Sequence, residues 1–285
     1  MTKKHIKGNV LFKLLAYSFL TIVMIAVIYP FMYSFFGSFK GMSEILTSGK
    51  MLPEKFSVDS YVKAWKTANF SVYTWNSIWY SAMVVITSLI TSTMSGYVFG
   101  RADDFKGIRI IFAIFTSLMF IALGTSSMYP RIQILKFLGL NDTLWGLVVM
   151  QFFGVHITNI FLVRGFVNSL PRALDEAAEI DGCNFIQTFF HVILPLLKPI
   201  IATIGIFAFT NSWNDYLMPM VVTLSNPAQR PLSVGLIALK SSAEAATAWN
   251  LILAGAMISA IPMVLVFLFF SKFFIKGLVS GAVKG

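Results

Sequence analysis

Four carboxylates, Asp175, Glu176, Glu179 and Asp181, fall within seven residues of a polar segment that separates two long apolar runs. Between them sit Ala177 and Ala178, and directly after them Gly182. Pro171 suits the first turn of a helix, where its missing N–H is no loss. Good helix formers run from Arg172 to Asp181, and Gly182 can adopt the left-handed conformation that ends a helix. Asn184 with Gln187 three residues on reads as a capping box opening a second helix. By i, i+3 and i+4 spacing, Leu174, Ala177, Ala178 and Asp181 share one face, with Glu176 and Glu179 at its edge. A helix lying on lipid headgroups carries Lys and Arg on its polar face. This one is acidic, and its apolar face is too small to bind lipid well. The chemistry it offers is docking: small side chains and negative charge presented to a partner's cleft.

Bond-breaking chemistry has no comparable foothold. There is no G-x-x-x-x-G-K-[ST] loop to cradle phosphates. No nucleophile elbow, His/Cys ligand cluster or carboxylate pair within an apolar run occurs, so neither an enzyme nor a metal centre is expected. Cys183 is the single cysteine, and one thiol forms no internal disulfide. His156 and His191 stand alone and read as packing or interfacial residues.

The elements that position the docking segment are apolar. The 285 residues are 57% hydrophobic and 12% charged, with a mean hydropathy of +0.77, against about 25% charge in a soluble domain. The net charge of +10 does not indicate nucleic acid, because the basic residues border apolar runs and form no patch or stripe. No charged residue lies between Lys13 and Lys40, between Lys66 and Arg101, or between Glu244 and Lys272. Such gaps exceed the ~20 residues a membrane helix needs.

Six spans are expected: Leu14–Phe36, Trp75–Gly100, Ile110–Tyr129, Leu144–Val163, Val192–Trp213 and Ala248–Ser271. The first is too long for a signal peptide and has no small-x-small cleavage site, so it reads as an uncleaved helix. A mid-bilayer Asp costs about 2.5–3.5 kcal/mol, which places Asp215 at or beyond the end of the fifth span. With the N-terminus inside, the inner segments, counted with Lys198 near the inner end of the fifth span, hold 13 of the 22 basic residues, the sign the positive-inside rule requires. The carboxylate loop, residues 164–191, is then cytosolic, as are both termini and the tail 272–285. The outer loops are 37–74, 130–143 and 214–247, with a short amphipathic helix expected over Ser60–Trp65. The whole chain, 1–285, reads as a single transmembrane domain of all-α class.

Polar residues inside spans face the bundle interior. Thr125, Ser126 and Ser127, then Gln151, His156 and Asn159, then Asn211, Ser212, Trp213 and Asn214 are the candidates for a translocation path. For Ser and Thr, helix-to-helix bonds of about 0.6 kcal/mol are explanation enough. Asn159, Asn211, Trp213 and Asn214 are retained as path candidates, because sugar hydroxyls need hydrogen bonds and sugar rings stack on aromatics.

The run Glu176-Ala177-Ala178, Asp181-Gly182-Cys183, Phe185, Phe189, Ile193-Leu194-Pro195 and Pro199 resembles the EAA loop of ABC importer permeases, closest to the sugar-uptake branch. Further similarities are Asn76-Ser77, Gly139-Leu140-Asn141-Asp142-Thr143, Trp213-Asn214-Asp215-Tyr216 and Pro231-Leu232-Ser233-Val234-Gly235-Leu236. The run from Gly277 to Gly285 resembles the tail of the six-helix subunit of maltose-type importers. The one departure is Cys183, where the family usually has Ala. The resemblance implies a type I importer permease fold with no ATPase activity of its own and no cofactor bound by this chain. ATP and Mg would be used by a cytosolic ATPase dimer gripping Glu176, Ala177, Ala178, Asp181 and Gly182, with Ser280, Gly281 and Lys284 of the tail reaching the same subunits. A second permease chain and an extracytoplasmic substrate-binding protein complete the expected assembly in a bacterial cell membrane. The cargo implied is a sugar or oligosaccharide. The alternative is an ion-coupled secondary transporter or channel, which would place ionisable residues inside its spans; these spans are nearly free of charge.

Overall fold

A computed structural model describes residues 10–67, 69–102, 105–121, 124–154, 156–241 and 248–282; for 10, 11, 67, 238–241 and 272–282 it describes the backbone alone. The helices are α1 (Val10–Gly37), α2 (Met42–Thr47), α3 (Asp59–Thr67), α4 (Phe70–Arg101), α5 (Lys106–Leu118), α6 (Met128–Phe137), α7 (Leu144–Phe153) and α8 (Ile157–Val167). They continue with α9 (Ala173–Ile180), α10 (Phe185–Thr188), α11 (Leu194–Leu196), α12 (Lys198–Asn214), α13 (Leu217–Val222), α14 (Leu232–Ser241) and α15 (Trp249–Ala282). No strand occurs among the described residues, in agreement with the all-α expectation.

Three helices are singly long and apolar enough to cross a membrane: Phe12–Gly37, Phe70–Arg101 and Trp249–Ser271. Two bent pairs, α7 with α8 and Phe185–Leu196 with α12, bring the number to five among the described residues. Expected spans one, two and six are thus single helices. The others differ in form. The expected third span is α5, 13 residues long, followed by a 3-10 turn at Gly124–Ser127 that places Thr125, Ser126 and Ser127 outside α-helix. The expected fourth is bent by 41° between α7 and α8, and the expected fifth by 81° at Leu197. The fifth therefore starts at Lys198, not at Val192. Pro195 and Pro199 explain the bend, since neither supplies the N–H that a straight helix would donate to the carbonyl four residues earlier. The π-helical turn Phe189–Ile193 just before Pro195 absorbs part of the same mismatch.

The chain divides into two compact units. One comprises Met1–Ala68 and Leu236–Ile258. In it the expected outer loop folds on itself. The Phe39 ring packs against Phe56 and Tyr61, the Ser38 and Tyr61 hydroxyls are 2.7 Å apart, and Lys40 Nζ donates to the Lys50 carbonyl. The amphipathic helix expected over Ser60–Trp65 is α3, tied by the Asn250 side-chain amide donating to Ser60 Oγ at 3.1 Å.

The other unit comprises Asn69–Gly235 and Ser259–Gly285, and α4 is its axis. Ser77, Ser81, Ser88, Ser92, Gly96 and Gly100 recur along α4, all buried, a small-residue stripe that lets neighbouring backbones approach. A Cβ added at Gly96 would stand 2.5 Å from Val163 Cβ of α8. Two apolar clusters hold the two halves of α4. Tyr80 and Val84 pack with Leu135, Leu144, Leu147 and Met218. Tyr97 packs with Val163, Val167, Phe189, Ile193 and Leu197. Tyr80 and Tyr97 are about 25 Å apart along the helix at 1.5 Å per residue.

Candidate functional site

The carboxylate-rich segment folds as the helix, glycine turn and capped helix that its sequence implies. Helix α9 ends in a Schellman turn: Cys183 N–H donates to the Ala178 carbonyl at 2.9 Å and Gly182 N–H to Glu179 at 3.0 Å. Gly182 has φ +83°, the left-handed region a β-carbon disfavours. The elbow leads into α10, whose capping box is complete. Gln187 N–H donates to Asn184 Oδ1 at 2.9 Å, and Asn184 N–H to Gln187 Oε1 at 2.8 Å.

The orientation of α9 departs from the face expected by spacing. Ala178 is buried, Leu174 is half-buried, and Asp175 turns inward. Arg101, the last residue of α4, holds the Asp175 carboxylate at 2.8 Å, while its Nη2 also donates to the Leu170 carbonyl at 3.2 Å. Glu176, Ala177, Glu179, Ile180 and Asp181 face outward, with Ile180 86% exposed. The presented surface is therefore one isoleucine framed by carboxylates, and Ala178 serves packing within the chain. Spacing alone does not single out Ile180, which lies four residues after Glu176 on the same face. The Tyr97 ring, 4.6 Å from Phe185 and 5.1 Å from Phe189, seats the elbow's far side against α4. Arg164 donates to the Phe99 carbonyl at 3.0 Å and lies 4.1 Å from the Phe112 ring centroid, which joins α8 to α4 and α5.

The path candidates are placed unevenly. Asn159 donates to Ser88 Oγ at 3.2 Å, a bond between α8 and α4. Trp213 is buried, stacked on Phe209, with its indole N–H donated to the Ser259 carbonyl at 3.1 Å. Asn211 and Asn214 are exposed, and Asn214 donates to Thr210 of its own helix. Of the tail residues, Ser280 and Gly281 continue the backbone of α15, and Lys284 lies outside the described residues.

A second polar location was not assembled by sequence spacing. A cavity of about 320 Å³ is lined by Tyr80 of α4, Arg131 of α6, Gln151 of α7, His156 and Asp215, over Leu147, Met150 and Met218. Asp215 directly follows α12, beyond the fifth span as expected. Tyr80 donates to its Oδ2 at 3.4 Å. Burial raises the Asp215 carboxyl above its usual 3.8, opposed by the Tyr80 hydroxyl, the backbone N–H groups of Met218 and Tyr216, and the charge of Arg131. Gln151 and His156 carried a signal as polar residues in an apolar run; Tyr80 and Arg131 carried none.

The described residues form an all-α protein with three helices of membrane-spanning length and an acidic segment that turns at Gly182. The sequence profile of the family described as "Binding-protein-dependent transport system inner membrane component" matches residues 107–282. The chain belongs to that family and is a permease subunit of an ABC importer, with ATP hydrolysis residing in a separate subunit. It is 33% identical over 277 residues to the arabinooligosaccharides transport system permease protein AraQ of Halalkalibacterium halodurans, covering 95% of this chain and 96% of that one. It is 32% identical to a probable starch degradation products transport system permease protein, AmyC, of Thermoanaerobacterium thermosulfurigenes, over the whole of both chains. Its fold matches a chain in the crystal structure of a bacterial ABC transporter involved in import of the acidic polysaccharide alginate. There the TM-score is 0.84 at 25% identity, over 96% of this chain and 100% of that one.

Proposed function

We propose that this subunit carries a sugar or oligosaccharide across a bacterial cell membrane as one of two permease chains. The observation that carries the reading is near full-length similarity to AraQ and AmyC, whose names specify sugar cargo. A cytosolic ATPase dimer docks on α9 through Glu176, Ala177, Ile180 and Asp181, at an angle set by the turn at Gly182. ATP and Mg act in that dimer, and this chain binds no cofactor. The backbone of α15 runs on through Ser280 and Gly281, the tail residues expected to reach the same subunits. An extracytoplasmic binding protein delivers the substrate, and both termini of this chain lie in the cytosol. The whole chain acts as one transmembrane permease domain, and the exposed Asn211 and Asn214 stand as contacts along the path.

Reconstitution tests this directly. Vesicles holding this chain with a second permease, two ATPase subunits and the binding protein should take up labelled oligosaccharide only when ATP is supplied. This chain alone should take up none. Uptake by the chain alone, driven by an ion gradient, would return the secondary-transporter reading. A cysteine at Ser280 should crosslink to the ATPase in a nucleotide-dependent way, and loss of Val279–Gly285 should lower transport-coupled hydrolysis while leaving assembly intact.

A further inference from the structure

We propose that the cavity at Tyr80, Arg131, Gln151, His156 and Asp215 is a binding subsite for one hydroxyl-rich ring of the transported oligosaccharide, so that this subunit contacts cargo with its own residues. The inference rests on the sugar reading above.

Three observations carry it. The first is the chemistry of the lining. A sugar ring needs acceptors and donors together, around a middle with C–H faces. Asp215 is an acceptor, Arg131 a fork of donors, and Gln151 and Tyr80 both. Leu147, Met150 and Met218 supply the apolar surface. About 320 Å³ falls at the small end of ligand pockets, roughly 300–1,000 Å³, which suits a ring more than a long chain.

The second is charge left open. Arg131 and Asp215 line the same cavity without forming an ion pair. Arg131 is exposed and keeps its water, while the half-buried Asp215 accepts from Tyr80 and from backbone N–H groups, so neither charge is spent on the other. Two opposite charges held across a gap are arranged for a polar guest between them.

The third is the backbone. The cavity lies where α7 ends and α8 begins, at the bend between them. His156 Nε2 stands 2.8 Å from the Gln151 carbonyl, a bond that ties the start of α8 to the end of α7. Non-helical backbone within a membrane protein is tolerated where it is buried in protein or lines a water-filled cavity. Substrate sites in transporters are commonly built on such broken helices.

The test uses the complete transporter in proteoliposomes with labelled arabinotriose, galactotriose and maltotriose. A wild-type transporter that takes up none of the three refutes the sugar reading itself, before any variant is made. Given uptake, Arg131→Gln and Asp215→Asn should each raise the KM for transport about ten-fold, the loss of one hydrogen bond to a charged group, with a smaller fall in the maximal rate. Asp215 also receives bonds from its own surroundings, so its variant could lose rate by misfolding. Arg131 is exposed and has no such duty. An unchanged KM in Arg131→Gln overturns the proposal, whether Asp215→Asn is normal or has lost stability, and leaves the cavity a structural one.

Discussion

Arg101 and Asp175 join the last residue of α4 to the first turn of α9 through an ion pair of 2.8 Å, in which the arginine side chain is 7% exposed and the carboxylate 24%. Helix α9 is therefore fastened to α4, and under the proposed docking a push on α9 would be delivered to α4. Removing one partner strands the other's charge away from water. Arg101→Leu should lower stability by about 1–3 kcal/mol, and the double variant Arg101→Leu with Asp175→Leu should recover part of the loss. Thermal inactivation of the purified complex checks the stability half. The ratio of sugar imported to ATP hydrolysed checks the coupling half, and a normal ratio in the single variant would show that α9 moves α4 by other contacts.

Gly182 tests the elbow. Its φ of +83° and the open space around a hypothetical Cβ mean that conformation, not crowding, sets the penalty. Gly182→Val should cost about 1–2 kcal/mol locally and re-aim α9. Gly182→Asn should be mild, since Asn tolerates the left-handed region. Glu176→Lys, exposed on the presented face, should leave the fold intact. Co-purification of the ATPase reads all three: the Val and Lys variants should lose it and the Asn variant keep it. Equal retention by Glu176→Lys would remove that face from the docking surface.

The features legible in the sequence are those that arise locally. The Schellman turn at Gly182, the capping box of Asn184 with Gln187, and the long apolar helices α1, α4 and α15 each depend on residues within a few turns. The 81° bend at Leu197 was readable in principle from Pro195, Lys198 and Pro199, but the apolar residues on both sides of Lys198 read as one span across 192–213. Which side of α9 faces out was not readable, because Arg101, 74 positions before Asp175 in the chain, decides it. Nor was the polar cavity, whose Tyr80 and Asp215 are 135 residues apart.

The close approach of α4 and α8 makes a contrast between two glycines. A Cβ at Gly96 would meet Val163 Cβ and Cγ1, both at 2.5 Å, whereas one at Gly205 would find its nearest neighbour, Val85 Cγ1, at 4.0 Å. Gly96→Ala should force the helices apart at a cost of about 1–3 kcal/mol. Val163→Ala should relieve it only in part, because the Val163 Cβ itself is in the way. Gly205→Ala should be neutral or stabilising by up to about 1 kcal/mol from helix propensity. Thermal inactivation midpoints of the three variants decide; a Gly96→Ala protein as stable as the parent would show that this helix pair is looser than its geometry implies.

The loop after α13 is anchored to α4 by the side chains of Asn76 and Ser77. Asn76 Nδ2 donates to the carbonyls of Ala228, at 2.8 Å, and Arg230, at 3.0 Å, while the Leu232 N–H donates to Ser77 Oγ at 2.7 Å. Gln229 Oε1 in turn accepts from the Leu144 N–H at 3.1 Å, which ties the same turn to the start of α7. Excising residues 225–229 would thus break the anchorage itself, and a point change is the cleaner probe. Asn76→Ala leaves two carbonyls without their donor, at about 1–3 kcal/mol. Asn76→Asp is worse, since a carboxylate would face those two oxygens. Both variants should expose the segment from Leu224 to Pro231 to added protease in vesicles, the Asp variant faster, while α9 still co-purifies with the ATPase. Cleavage no faster than in the parent would mean that Ser77 and Gln229 hold the loop without Asn76.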